Sequence, residues 1–212
     1  ILIDTIKRRS NMVITNKLGI TDPPTLAREE ERISKKAAIT LFEENLLNNL
    51  PSGTWTTLQR IHTILFQDIY DFAGELRRVN IAKGNFRFVP VMYLSEAVKT
   101  IESMPQNSFD EIVEKYVEMN VAHPFREGNG RSMRLWLDHM LCAELQKTID
   151  WSQIDKEKYL SAMERSPIND LEIKAVLAEA LTDDINNREL FMKGLDHSYY
   201  FEGYQLFKSE EL

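Results

Sequence analysis

The sequence predicts an all-α fold, a helical domain carrying one small β-hairpin. Three observations lead there. Apolar residues recur at intervals of three and four along most of the chain, the spacing of amphipathic helices. Only eight Gly and seven Pro punctuate 212 residues, too few for a protein of many short strands and turns. No strand–helix–strand alternation appears, so a parallel α/β sheet is excluded. With 43% hydrophobic and 28% charged residues, the chain can build one core and is not disordered. At about 150 residues per domain, it reads as a single domain with an extension.

Residues 1–24 read as an N-terminal arm ending in the breaker Asp22-Pro23-Pro24. A helix is expected from Thr25 to about Leu50, with Glu29-Glu30-Glu31 on a solvated face. Pro51-Ser52-Gly53 breaks it, and Thr54 can cap the next helix, whose apolar face is Leu58, Ile61, Leu65, Ile69 and Phe72. His62 lies on that helix as a core histidine. Between 79 and 89, Val79, Ile81, Phe86, Phe88 and Val89 flank Lys83-Gly84-Asn85, a short hairpin. Helical spacing returns at Leu94, Ala97, Val98 and Ile101. Ser108 with Glu111 forms a capping box opening a helix that should run to His123, where Pro124 stops it. Met133, Trp136, Leu137, Met140 and Leu141 give another helix. Asn169 with Glu172 caps one that buries Ile173, Val176, Leu177 and Leu181, and a last helix runs from Arg188 to Gly203.

Charge narrows the function. Lys and Arg number 26 against 33 Asp and Glu, a net charge of −7, which argues against direct nucleic-acid binding. Any anion must be met by a local basic cluster. No apolar run approaches the roughly 20 residues of a membrane span, so no membrane partner is expected. The single Cys142 and the absence of a visible signal peptide point to a reducing, cytoplasmic setting. The chain opens Ile1-Leu2-Ile3-Asp4 without methionine, so its native start is expected upstream.

The local basic cluster lies in the segment His123-Pro124-Phe125-Arg126-Glu127-Gly128-Asn129-Gly130-Arg131-Ser132-Met133-Arg134. A plain helix–loop–helix turn would account for the Pro and the Gly-Asn-Gly. Two features go beyond it. Gly128, Asn129 and Gly130 expose successive backbone N–H groups where a helix begins, an anion site. Arg131 and Arg134 then lie in the first turn, where cations oppose the helix dipole by roughly 0.3–1 kcal/mol each unless an anion offsets them. A polyphosphate suits this arrangement. His123 can take a proton near neutral pH, and Glu127 is a hard oxygen ligand of the kind Mg²⁺ uses beside phosphates. Zinc and Walker-loop readings find no support in the spacing.

These residues match at every fixed position the signature of the Fic family, His-x-Phe-x-(Asp/Glu)-Gly-Asn-Gly-Arg-x-x-Arg. The resemblance extends to Tyr70-Asp71-Phe72-Ala73-Gly74-Glu75-Leu76-Arg77 and to Ile81-Ala82-Lys83-Gly84-Asn85-Phe86-Arg87-Phe88. It implies a compact helical Fic domain over 25–181 with a flap at about 79–89, and a C-terminal helical extension over 182–212. The implied activity is transfer of AMP from ATP, with Mg²⁺, to a Ser, Thr or Tyr hydroxyl of a target protein. His123 would be the general base and Glu127 the metal ligand. Gly128, Asn129 and Gly130 would form the anion hole, with Gly130 free to take positive φ. Arg131 would assist the β-phosphate and Arg134 the γ-phosphate, while Phe125 packs inward to anchor the loop. One kinase-type branch of the family carries lysine where this chain has Gly130. Lys83, Gly84, Asn85, Phe86, Arg87 and Phe88 would pair with an extended target segment.

Near the end, Ser198-Tyr199-Tyr200-Phe201-Glu202-Gly203 is similar to the family's inhibitory motif, (Ser/Thr)-x-x-x-Glu-(Gly/Asn). Its position resembles the stand-alone bacterial class with a C-terminal inhibitory helix, class III. The implied contact is Glu202 on Arg134, with Ser198 on the same helix face and Gly203 closing the helix. Tyr199 and Tyr200 are candidates for self-modification. Related bacterial Fic proteins modify topoisomerase subunits, so such a subunit is a candidate target, and members with inhibitory helices can self-associate into homo-oligomers. Two other functions fit the sequence: a Fic-fold enzyme with another donor or with AMP-removing activity, and a nucleotide-sensing interaction protein with little turnover.

Overall fold

The structure, a computed structural model, describes residues 13–84 and 86–212. The first half of the expected arm, residues 1–12, and the flap residue Asn85 lie outside the described residues. Eight α-helices and two small two-stranded sheets make up the described fold. Helix α1 is Pro23–Glu43 and α2 is Trp55–Phe66. Strands β1 (Ala82–Lys83) and β2 (Phe86–Arg87) form the hairpin. Then come α3 (Val91–Glu102), α4 (Phe109–Ala122) and α5 (Asn129–Leu145). Strand β3 (Thr148–Ile149), α6 (Lys156–Arg165), α7 (Leu171–Glu179), β4 (Leu181–Thr182) and α8 (Arg188–Phe201) complete the order.

Local chemistry sets these boundaries. Asp22-Pro23-Pro24 starts a helix instead of ending an arm: the Asp22 carboxylate accepts from the Thr25 N–H, and both prolines sit where the first helical turn needs no donor. The same helix stops at Glu43 and not near Leu50, because Asn45 turns left-handed at φ 53°. Thr54 and Ser108 cap α2 and α4 as expected. Helix α2 ends at Phe66, so Ile69 and Phe72 belong to the following turns, although Ile69 is still fully buried. Leu181 leaves α7 to pair with Ile149 in a β3–β4 ladder whose two-residue strands are too short to show a period.

Helix α5 is the axis. Met133, Trp136, Leu137, Met140 and Leu141 are all fully buried, with α4 on one side and α2 on another. Helix α8 packs on α1, α5 and the turn at Trp151, and its Leu195, Tyr199 and Phe201 join the same core as Leu58 and Phe125. Among the described residues, no helix is long and apolar enough to cross a membrane.

Candidate active site

The loop between α4 and α5 is built around its own backbone. Phe125 is fully buried, stacked on His62 at 3.7 Å and on Trp55 at 5.4 Å. The Asn129 side chain accepts from the Phe125 N–H at 2.8 Å and donates to the Phe125 carbonyl at 2.7 Å, closing the loop on itself. Gly128 sits at φ 76°, and a Cβ there would collide with the Phe66 ring, so glycine is required twice over. Gly130 is different. It does not take positive φ, contrary to the sequence expectation. A Cβ there would run into the Glu202 carboxylate, the far end of a side chain that can shift. Among the described residues no side chain caps the first turn of α5, and Gly128, Asn129 and Gly130 line the cavity beside it.

His123 terminates α4 in the left-handed region, φ 50° and ψ 62°. Its Nδ1 lies 3.3 Å from the Asn120 carbonyl. A carbonyl only accepts, so Nδ1 carries the proton and Nε2 keeps its lone pair. Phe88 from the flap stacks on the ring at 3.9 Å and 18°. Burial, helped by the charges of Lys83 and Arg77, lowers the His123 pKa to about 3 against the opposing pull of Asn120 and Glu202. The imidazole is therefore neutral, a proton acceptor, at physiological pH.

His62 does more than fill the core. Its Nδ1 accepts from the Gly74 N–H at 2.9 Å, so its Nε2 carries a proton and donates to the Glu127 carbonyl at 2.9 Å. Burial holds it neutral, with a pKa of about 4. The Glu127 carboxylate accepts from the Gly128 N–H and reaches Arg131 at 3.4 Å. Burial and the nearby Glu30 raise its pKa.

The two arginines share a helix face but not partners. Arg131 bonds Glu30 at 2.7 Å and lies 4.8 Å from both the Phe66 and Tyr204 rings. Its Nε and Nη1 are buried without a hydrogen-bond partner. Glu30 also accepts from the Tyr70 and Tyr204 hydroxyls. Glu30 and Glu31 are thus buried, not solvated. Glu31 accepts from the Leu206 and Phe207 N–H groups and ties the C-terminal tail to α1. Arg134 donates from Nε to the Ser198 hydroxyl at 2.7 Å, and from Nη2 to the Ser198 carbonyl and the Glu202 carboxylate, both at 2.8 Å. Burial works against the charged form of Glu202, but Arg134 and Arg131 outweigh it and hold the pKa below its ordinary value. Arg131 lies in the first turn of α5 and Arg134 in the second, not both in the first as the sequence suggested, and each is offset from within the protein, by Glu30 and Glu202.

A cavity of about 210 Å³ joins these groups: His123, Glu127, Gly130, Arg134 and Glu202 line it, with Lys83 and Phe88 of the flap. In the hairpin Ala82 pairs with Arg87 and Lys83 with Phe86, and Gly84 turns at φ 59°. Gly203, at φ 90°, follows Glu202 at the end of α8. Tyr199 is buried, its hydroxyl donating to Ser34 Oγ, whereas Tyr200 is 44% exposed. Sequence reasoning gave no role to Glu30, Tyr204 or Arg77 and only a core role to His62. A signal for Glu30 existed: it continues the four-residue row Leu26, Ser34, Ala38 on the buried face of α1.

The arrangement is a loop with a neutral histidine leading into an arginine-bearing helix. The model of the Fic/DOC family matches residues 54–141. The "Probable protein adenylyltransferase Fic" of Salmonella typhimurium is 29% identical over 183 residues, covering 81% of this chain and 88% of its own length. The protein adenylyltransferase VbhT of Bartonella schoenbuchensis is 30% identical over 192 residues, 84% of this chain but 39% of that longer protein. The fold is shared with the BepC protein of Bartonella tribocorum, solved with AMPPNP, at a TM-score of 0.67 and 20% identity over 82% of this chain and 94% of that one.

Proposed function

We propose that the protein transfers AMP from ATP to a Ser, Thr or Tyr hydroxyl of a target protein, and that its C-terminal helix restrains the reaction. One observation carries this reading. Around a single cavity, a histidine with an available Nε2 lone pair faces the uncapped N-terminus of α5 and its Arg134. The names of the relatives support the donor and the transferred group.

The chemistry follows from the groups present. The target hydroxyl oxygen attacks the α-phosphorus, its proton passes to His123 Nε2, and the bond to the β-phosphate breaks to release pyrophosphate. The first-turn amides of α5 stabilise charge on the phosphate oxygens. Glu127 lines the cavity with its side chain 38% exposed, which fits Mg²⁺, a cation that takes one or two carboxylates together with substrate phosphates. When bound, Mg²⁺ supplies neutralisation of the α- and β-phosphates. Arg131, with two nitrogens lacking hydrogen bonds, would assist the β-phosphate. Arg134 would serve the γ-phosphate once Glu202 withdraws. The hairpin would pair with the target backbone. The target class remains as the sequence implied, with a topoisomerase subunit as the first candidate. Self-modification falls to exposed Tyr200 in the closed form and reaches Tyr199 only after α8 lets go of Ser34.

The test uses labelled ATP. Label from the α-phosphate should appear on protein, and label from the γ-phosphate should not. His123→Ala should keep nucleotide binding and lose transfer by about 10²–10⁴-fold, the usual contribution of a general base. Transfer from the γ-position would instead identify a kinase, and binding with no transfer a sensor.

A further inference from the structure

Arg77 lies between the Gly74 turn and the flap and is 3% exposed. Its hydrogen bonds all run to main-chain carbonyls. Nε donates to His123 at 2.8 Å, Nη1 to Val79 at 2.9 Å, and Nη2 to Ala122 at 3.1 Å and to Val89. Its backbone N–H donates to Pro124 at 2.8 Å. Val79 and Val89 are the two feet of the hairpin. Ala122, His123 and Pro124 are the end of α4 and the catalytic loop.

One guanidinium thus grips both ends of the flap and the peptide of the catalytic histidine. The last carbonyls of a helix have no internal partner, and a non-glycine residue is costly in the left-handed region. Arg77 answers both problems at His123. By fixing the plane of the 123–124 peptide, it fixes where the imidazole points. A second link joins the same parts: Phe88 stacks on the ring that Arg77 aims. Only arginine offers a planar fork with donors in several directions; lysine has three donors on one atom.

We propose that Arg77 is the positioning residue that keeps the target-docking hairpin in register with the His123 imidazole. This rests on the AMP-transfer reading above. Arg77 acts through His123 and the flap and touches no reacting atom.

A matched control is available. Lys115 is also a buried cation that satisfies carbonyls at a helix end: its Nζ donates to Glu102, Met104 and the Gln106 side chain, away from the cavity. Arg77→Lys and Lys115→Met are compared in a Glu202→Gly parent. Both should lower thermal stability. Only Arg77→Lys should reduce AMP incorporation into lysate proteins, by about 100-fold, the scale of a misplacement near 1 Å. Its affinity for Mg-AMPPNP should stay within about threefold, because Arg77 bonds nothing beyond residue 124 in the loop. The second readout needs no turnover. Imidazole NMR of the four histidines, assigned with His123→Ala, should show the His123 signals displaced in Arg77→Lys and unmoved in Lys115→Met. Should Arg77→Lys fail to fold, Arg77→Gln keeps one donor pair and should show a smaller displacement. Unmoved His123 signals, or transfer equal to that of Lys115→Met, would overturn the proposal. A parent that transfers no AMP would overturn the functional reading alone, and the NMR comparison would still decide Arg77.

Discussion

Two carboxylate–arginine pairs stand one helical turn apart on α5, and they are built for different purposes. In the inner pair, Arg131 with Glu30, both side chains are nearly inaccessible, at 2% and 3% exposed. Two tyrosine hydroxyls complete the Glu30 oxygens, and aromatic rings cover the guanidinium. In the outer pair, Arg134 is equally buried at 2%, but Glu202 is 28% exposed and ends its helix. A carboxylate that can rotate into water can be exchanged for a phosphate. One enclosed by a helix and two tyrosines cannot. Competition by the same chemistry is thus confined to Arg134, and the difference lies in the exposure of the acid, not of the base.

The largest expected effect breaks the inner pair. Glu30→Ala would leave the buried Arg131 with only the longer Glu127 contact at 3.4 Å and remove the acceptor of the Tyr70 and Tyr204 hydroxyls. Removing one partner of such a pair costs about 3–5 kcal/mol. Urea unfolding should show that loss, and AMP transfer should fall. A loss below about 1 kcal/mol, or faster transfer, would mean that Glu30 is as exchangeable as Glu202 and that the two pairs are alike.

Breaking the outer pair should have the opposite consequence for activity. Glu202→Gly leaves α8 held by Ser198 on Arg134, by Tyr199 on Ser34 and by the tail on Glu31. The helix stays, and only the carboxylate on Arg134 goes. If the closed state is favoured by about 3 kcal/mol, on the order of 1% of molecules are competent. Initial AMP-transfer rates should then rise by about two orders of magnitude. Arg134→Ala should not reproduce the rise, because it deletes the proposed phosphate contact as well. Equal rates for wild type and Glu202→Gly would reduce the outer pair to an ordinary capping interaction.

The outer pair was anticipated through the resemblance of two motifs to those of the Fic family, and the inner one was not anticipated, for a physical reason. The loop 123–134 and the motif 198–203 are contiguous, and contiguous spacing is what a one-dimensional reading can weigh. The all-α class and the positions of α2, α4 and α5 were equally legible, since each buries a continuous apolar row. Glu30 pairs with Arg131 across 101 residues; its place in the buried four-residue row of α1 sets it apart from Glu29, but that row does not name its partner. His62 read as core and is core; that it also donates to the Glu127 carbonyl depends on how α2 lies against the loop. Arg77 was quoted only as part of a family resemblance, because its five carbonyl partners come from three separate segments. The β3–β4 pair escaped notice because two residues define no alternation.

The smallest effect sharpens the comparison through pH. His62 belongs to the inner half and is depressed by burial and by Arg131, whereas His123 belongs to the outer half, between Lys83, Arg77 and Glu202. Both are neutral in the folded state, with pKa values of about 4 and about 3 against 6.5 unfolded. The folded protein therefore binds fewer protons than the unfolded chain below pH 6.5. Their contribution is complete above that pH and is lost as the pH falls, at about 1.4 kcal/mol per unit for each histidine. His139, also depressed by burial, adds with the same sign. Glu30 and Glu202 are held below their ordinary 4.5, so their stabilisation is lost only at lower pH. In the window from pH 5 to 6.5 Asp138, which burial raises to about 7, and Glu127, also raised by burial, act with the opposite sign, so the histidine part is read as a difference between variant and wild type. In that window His62→Phe, which keeps a ring against Phe125, should reduce the slope of urea stability against pH by about 1.4 kcal/mol per unit. Imidazole NMR then separates the halves. Glu202→Gly removes a charge that raises the His123 pKa, so His123 should titrate at still lower pH while His62 does not move. Were His62 to shift in parallel, the two pairs would be one coupled cluster, and the distinction between a permanent inner acid and an exchangeable outer one would fail.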